Sequence, residues 1–341
     1  MALSRRKFLY ALPAGASVVA CGGATPEVAR GNAYRELVSG NAASGEGTVL
    51  VCMPSTSQTR EVWTGLSDDL GKHYRLVAVH ADAAEAGKAI AEGMRRHRPS
   101  GVVLMNNPTV AAYRSLQESS PKTTFPPAVI VMTSFLDGRT RQLSATTGIS
   151  YEVPLITVVT NLRKLIVRPI ERIGVVVRPG LTGFVRRQAE LAGREQIAVF
   201  EEIVAARPNS SELKRALRNL KQHVDALWIL NDDRLLTPQL ITEGWIPGLN
   251  ERPWSPAIVG AASLVSPGQS FGTFAVVPDH VALGSQAAGL LFDIADNGWI
   301  LPPDAEIQSP LSTTTTVDLV QARERFELRA DALQKIDRVL E

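Results

Sequence analysis

The sequence has only two cysteines in 341 residues, Cys21 and Cys52. That excludes a small secreted scaffold stapled by several disulfides. Cys52 sits inside an apolar run and reads as a small core residue, with a catalytic thiol as the lesser alternative. Charge of one sign is also lacking: 36 Lys and Arg face 34 Asp and Glu, for a formal net charge of +2. There is no basic excess for nucleic acid, and no zinc-finger or basic-helix pattern accompanies it. Aromatics are few at 6%. No G-x-S-x-G elbow, Walker A loop, GxGxxG or His/Cys metal spacing occurs. His73, His80, His97, His223 and His280 are scattered, without an obvious acid–base partner in sequence. No catalytic residue, metal or cofactor is therefore expected.

What is present begins at the N-terminus. Ser4-Arg5-Arg6-Lys7-Phe8-Leu9 looks like a twin-arginine export motif. The apolar segment 8–20 that follows is too short to span a bilayer and has the size of a signal h-region. It ends Val18-Val19-Ala20-Cys21-Gly22, which resembles a bacterial lipobox. Residues 1–20 read as a cleaved signal peptide and Cys21 as a lipidated cysteine holding an exported protein at the cell envelope, on the periplasmic face of a bacterial membrane. Contact with the membrane is expected through that anchor alone. Residues 21–47, rich in Gly, Ala, Ser and Glu, read as a flexible tether.

From residue 48 the pattern is regular. Short apolar, β-branched runs at 48–53, 74–80, 101–105 and 128–132 alternate with amphipathic segments of helical period. That alternation implies parallel βαβ units. Asp82 is placed to cap the second of these helices. The stretch 147–180 carries the chain out of this unit and into a second one, with strands expected at 173–177, 196–204, 226–230, 256–260, 271–277 and 312–317. Asp279 and Asp318 are expected to cap helices. The fold class is α/β: two Rossmann-like lobes of parallel sheet flanked by helices and joined by hinge crossings. The first lobe covers 48–145, completed by part of 275–310. The second covers 146–274, completed by part of 311–328. Residues 329–341 read as a C-terminal helix.

In open α/β sheets, ligands bind beyond the carboxyl ends of the strands. In the first lobe this selects Ser55, Thr56, Ser57 and Gln58, whose hydroxyls and helix-start N–H groups suit an anion or serve only as caps. It also selects Asn106 and Asn107, then Thr133 and Ser134 at the presumed hinge. In the second lobe it selects Ser150 and Tyr151, the latter either stacking on a flat ligand or packing half-buried. Arg178 either meets a carboxylate or is solvated. Asn231 and Asp232 offer a partner for an ammonium or a hydroxyl, or cap a turn. Ser263 lies in a close wall, and Asp279 is divided between ligand and helix cap.

Five segments carry a resemblance: TTGIS (146–150), RIGVVVRPG (172–180), VDALWILND (224–232), DHVALGSQAAGLL (279–291) and TTVDLVQARERFEL (315–328). In this order and spacing they resemble substrate-binding proteins of ABC transporters, in the type I periplasmic-binding branch that includes tryptophan and tyrosine binders. The resemblance covers about residues 48–328. It departs from the family at Leu143-Ser144-Ala145-Thr146, where a Pro-Gly-Gly-Asn run is usual, and at Leu136-Asp137-Gly138 and Asp318. It implies a monomer that captures a small molecule, an amino acid or similar, and delivers it to an ABC transporter permease. A ligand-sensing or partner-interaction lipoprotein on the same fold is the alternative, and an exported hydrolase a third.

Overall fold

The structure, a computed structural model, describes residues 36–39, 47–140 and 142–341. The export segment and Cys21 lie outside the described residues.

The chain forms two α/β lobes. The first contains β1 (Glu36–Ser39), β2 (Thr48–Met53), α1 (Ser57–Leu70), β3 (Arg75–His80), α2 (Ala86–His97), β4 (Gly101–Met105), α3 (Asn107–Ser119), β5 (Ala128–Val131), α4 (Leu136–Thr140) and β6 (Thr146–Gly148). Its sheet has the order β1-β3-β2-β4-β5-β6 and is parallel except for β1, which runs antiparallel to β3. Two boundaries differ from the sequence reading. The expected tether contains β1, whose backbone pairs with the otherwise open edge of β3. Residues 146–148, read as the start of the second lobe, pair with β5 as the last strand of the first sheet.

The period-two alternation of a strand sorts its side chains onto two faces. Val49, Val51 and Met53 of β2 join the core beneath α1, while Leu50 and Cys52 join the core beneath α2 and α3. Burial pushes the Cys52 thiol far up, so the residue behaves as a small apolar side chain. Asp82 does not cap α2. That helix starts four residues later, and Glu85 at its N-cap makes no side-chain cap bond.

The second lobe contains α5 (Leu155–Leu165), β7 (Arg172–Val177), α6 (Thr182–Gly193), β8 (Ala198–Ile203), α7 (Ser210–Lys221), β9 (Ala226–Ile229), α8 (Pro238–Leu240), α9 (Ile246–Asn250), β10 (Ala257–Val259) and β11 (Phe274–Pro278). It is followed by α10 (His280–Asp296), β12 (Thr313–Asp318), α11 (Leu319–Arg325) and β13 (Arg338–Leu340). The second sheet has the order β13-β12-β11-β10-β9-β7-β8, with β12 antiparallel to β11 and the other pairs parallel. The helix expected over 329–341 is instead a single 3₁₀ turn, Ala332–Lys335, and the edge strand β13. The Asp337 carboxylate accepts both the N–H and the hydroxyl of Thr315 at 2.7 Å, which pins the chain alongside β12.

The lobes exchange segments. Helix α10 follows β11 in sequence but packs on α1 in the first lobe. The two helices meet backbone to backbone: a Cβ on Gly65 would lie 2.0 Å from the Val281 carbonyl oxygen, and one on Gly284 would lie 2.1 Å from that of Val62. Only glycine permits that approach. The chain therefore crosses between lobes three times, at residues 149–154, at 278–279 and at 308–312. The crossings are tied together. Ser150 N–H donates to the Gln308 carbonyl at 2.8 Å, Gln308 N–H to Gly148 at 3.0 Å, and Asp279 N–H to Ser312 at 3.0 Å. Among the described residues, no helix is long and apolar enough to cross a membrane.

Candidate functional site

The carboxyl ends of both sheets meet near these crossings, and most of the sequence-selected residues lie there. On the first lobe the rim is made of neutral groups already at work in the fold. Thr56 is the N-cap of α1 and forms a reciprocal capping box with Thr59, each backbone N–H meeting the other hydroxyl at 3.2 Å. Ser55 is exposed, with its hydroxyl 2.9 Å from His80 Nδ1. The exposed Ser57 hydroxyl donates to Gln58 Oε1. Asn106 caps α3 through the Thr109 N–H from a left-handed backbone (φ 87°).

The loop after β5 is strained. Met132 and Phe135 both sit at left-handed φ, 56° and 53°, a conformation that bulky residues hold only when their surroundings enforce it. Two side chains supply the enforcement. Asn107 Oδ1 accepts the Ser134 N–H at 3.1 Å, and Glu152 Oε2 accepts the Phe135 N–H at 3.0 Å. Thr133 does not face the rim: it is fully buried and its hydroxyl turns back to the Val131 carbonyl.

On the second lobe the rim is charged. Arg178, at the end of β7, grips Asp232, beyond the end of β9, with two bonds: Nε to Oδ2 at 2.6 Å and Nη2 to Oδ1 at 2.7 Å. The Asp232 side chain is 1% exposed and that of Arg178 14%. Asp232 Oδ1 also accepts the Arg234 N–H. Both Asp232 oxygens are thus engaged, and the carboxylate orients Arg178. The guanidinium carries five N–H donors, and the pair uses two of them. The Asn231 amide reaches across the lobes and donates to the Ser134 hydroxyl at 3.2 Å. Ser263 is exposed on a 3₁₀ turn, and Asp279 caps α10 by accepting the N–H groups of Val281 and Ala282.

The lobes also touch away from the crossings. Phe135 and Phe184 of α6 pack edge to face at 5.3 Å, and Arg187 of α6 pairs with Asp137 of α4 at 2.9 Å.

The first crossing supplies two further groups. Tyr151 stacks beside His280 and its hydroxyl lies 3.0 Å from His280 Nε2, while His280 Nδ1 lies 2.9 Å from the Glu61 carboxylate of α1. This chain connects the first crossing, the second crossing and the first lobe. The adjacent Glu152 was not selected from sequence. Its side chain bends in beneath the crossing, where burial pushes its carboxyl up to about 7 despite the opposing pull of the Phe135 N–H, its own backbone N–H and Ser150 Oγ. It lines a cavity of about 20 Å³ together with Tyr151, Trp228, Asn231 and Gly260. A volume of that size holds about one water molecule. Among the described residues, no group of three or more His, Cys, Asp or Glu side chains is placed to hold a metal.

No family model matches the sequence, and no curated protein matches it. Solved structures do match. A ligand-free, open substrate-binding protein with adhesive properties from Clostridium difficile aligns with a TM-score of 0.61 at 14% identity, over 86% of this chain and 99% of its own. A conserved domain protein from Vibrio cholerae aligns at 0.55 with 20% identity over 86% and 99%. An ABC domain from Streptococcus pneumoniae in complex with L-Trp aligns at 0.53 with 15% identity over 86% and 100%. The chain has the two-lobe α/β fold of these proteins across nearly their whole length.

Proposed function

We infer that the chain is an exported solute-binding protein that captures a small polar molecule between its lobes and delivers it to an ABC transporter permease. The observation that carries this reading is the arrangement of the two rims. Each lobe presents strand ends toward the other, and three crossings, tied to one another by backbone hydrogen bonds, join the pair. Hinge closure around a ligand is a standard device for binding small molecules. The solved structures of the same fold include a substrate-binding protein and an ABC domain in complex with L-Trp. The L-Trp complex supports an amino acid as ligand here. Arg178, oriented by Asp232 and retaining spare donors, is the group we assign to an anionic end of that ligand. The carboxylate expected to meet an ammonium, Asp232, is instead committed to Arg178. Lipidation at Cys21, monomeric state and attachment at the cell envelope complete the proposal and rest on the sequence motifs.

The test is a thermal-shift screen of residues 22–341 against amino acids, sugars and aromatic acids, followed by calorimetry on any hit. A ligand at 100 times its Kd stabilises the folded state by about 2.7 kcal/mol, enough to raise Tm by several degrees. An amino acid is the expected hit. A sugar as the sole binder would remove the amino-acid assignment and leave solute capture intact, and silence across the panel would remove both.

A further inference from the structure

The buried carboxylate of Glu152 has one oxygen too many for the protein around it. Oε2 is satisfied: it accepts the Phe135 N–H at 3.0 Å and the Ser150 hydroxyl at 3.2 Å. Oε1 is shut off from bulk solvent and meets no donor of the protein in hydrogen-bond geometry, although the residue as a whole is only partly buried. An acceptor left in this condition costs about 1–3 kcal/mol, more when it is charged, and native proteins rarely keep one without a reason. The side chain lines the cavity under the first crossing, at the ends of β9 and β10, where the second lobe's rim begins. It is also the residue that holds the strained Phe135 turn of the first lobe. One carboxylate thus touches the hinge, the first lobe and the cavity edge of the second.

We propose that Glu152 is a specificity residue of the cleft, its free oxygen accepting a hydrogen bond from an N–H donor on the bound solute, so that the preferred solutes are amines and their unaminated counterparts are discriminated against. The inference rests on the solute-capture reading and sharpens it. A cationic amine is the best match, because it supplies both the missing donor and a counter-charge for a carboxylate out of water.

Other charged groups do not supply that donor. Asp137 of α4 is a second negative charge that pushes Glu152 further toward its neutral form, and it is itself paired with Arg187 of α6. The Tyr151 hydroxyl next in the chain is taken by His280 of α10, which in turn faces Glu61 of α1.

The geometry makes Glu152→Gln a discriminating variant. The Phe135 N–H still needs an acceptor, so the amide oxygen takes the Oε2 position and the NH₂ group points where Oε1 was. A donor then faces the solute's donor, while the hinge contact survives.

Calorimetry on three matched pairs tests this: L-tryptophan with indole-3-propionate, L-phenylalanine with 3-phenylpropionate, and L-leucine with 4-methylpentanoate. The expected result is that wild type binds the amine of at least one pair about 10- to 100-fold more tightly than its partner, the range of a charge-assisted hydrogen bond. Glu152→Gln should lose that preference while keeping the wild-type circular dichroism spectrum. A pH series on the wild type gives the same answer without mutation: affinity for the amine rises between pH 5.5 and 8.5 as the carboxyl ionises, and affinity for the unaminated partner does not.

Equal binding of both members by wild type overturns the inference and leaves solute capture standing. So does full discrimination by Glu152→Gln, or a flat pH profile. Binding of no member of any pair, where the broader screen finds a sugar, overturns it in the same way. If that screen also finds nothing, the capture reading falls first and this inference with it.

Discussion

The two rims that face each other are built on opposite principles. The first lobe offers hydroxyls and amides, Thr56, Asn106 and Asn107, which cap helices or hold a turn through neutral bonds. The second offers a guanidinium–carboxylate pair removed almost entirely from water. Neutral caps are individually weak, each worth about 1 kcal/mol. A desolvated ion pair is rigid and intolerant of loss, because either partner alone is a buried charge. One wall is held by several weak neutral bonds and the other by a single desolvated ion pair, with the Glu152 carboxylate of the first crossing between them.

Three measurements would break or sharpen that contrast. The largest effect belongs to Asp232→Ala, which strands Arg178 in a site where its side chain is 14% exposed. We expect a loss of about 3–5 kcal/mol, read from the urea midpoint at constant m-value. A loss below about 1 kcal/mol would mean that water reaches the pair and that the second rim is no more rigid than the first.

Glu152 comes next. Its folded carboxyl is raised from 4.5 to about 7, so the folded state holds a proton that the unfolded chain has released between those values. Stability is therefore highest at and below about pH 4.5 for this group, falls as pH rises toward 7, and is flat above. The change is on the order of 3 kcal/mol. Unfolding of wild type and Glu152→Gln across pH 4.5–8 should show the slope in the first and its reduction in the second. Parallel profiles would place the carboxyl in contact with water.

The smallest effect is Thr56→Ala. Losing one capping hydroxyl should cost about 1 kcal/mol, visible as a small shift in the same midpoint. A loss rivalling Asp232→Ala would erase the distinction between the walls.

Most of the architecture was legible because its strands announce themselves locally. TVLVCM, GVVLM and RIGVVV are short, β-branched and apolar on both faces, a signature of buried parallel strands. The strand-end rule selected Arg178, Asn231 and Asp232, which lie at strand ends in the fold, without revealing that Arg178 and Asp232, 54 residues apart, would bind each other. Long-range pairing has no local trace. Glu152 escaped for the same reason: in the sequence Tyr151-Glu152-Val153 it looks like any solvated carboxylate, and only the fold buries it. Strand β13 was missed because three residues, RVL, inside a charged segment carry too little pattern to outweigh a helical spacing. Strand β1 was missed because its four residues sit in a stretch whose composition reads as linker.

The glycine contact between α1 and α10 bears on how the protein comes into being. The first lobe buries Leu283, Ala287 and Leu291 in its core, yet those residues lie beyond nearly the whole of the second lobe. On the ribosome, the N-terminal sheet would wait with one face uncovered until about residue 296 had emerged. The first lobe cannot complete its core before then. A nascent chain halted at residue 279 should accordingly be captured by chaperones and cut readily by proteases along the surface of α1, while one halted after Asp296 should resist both there.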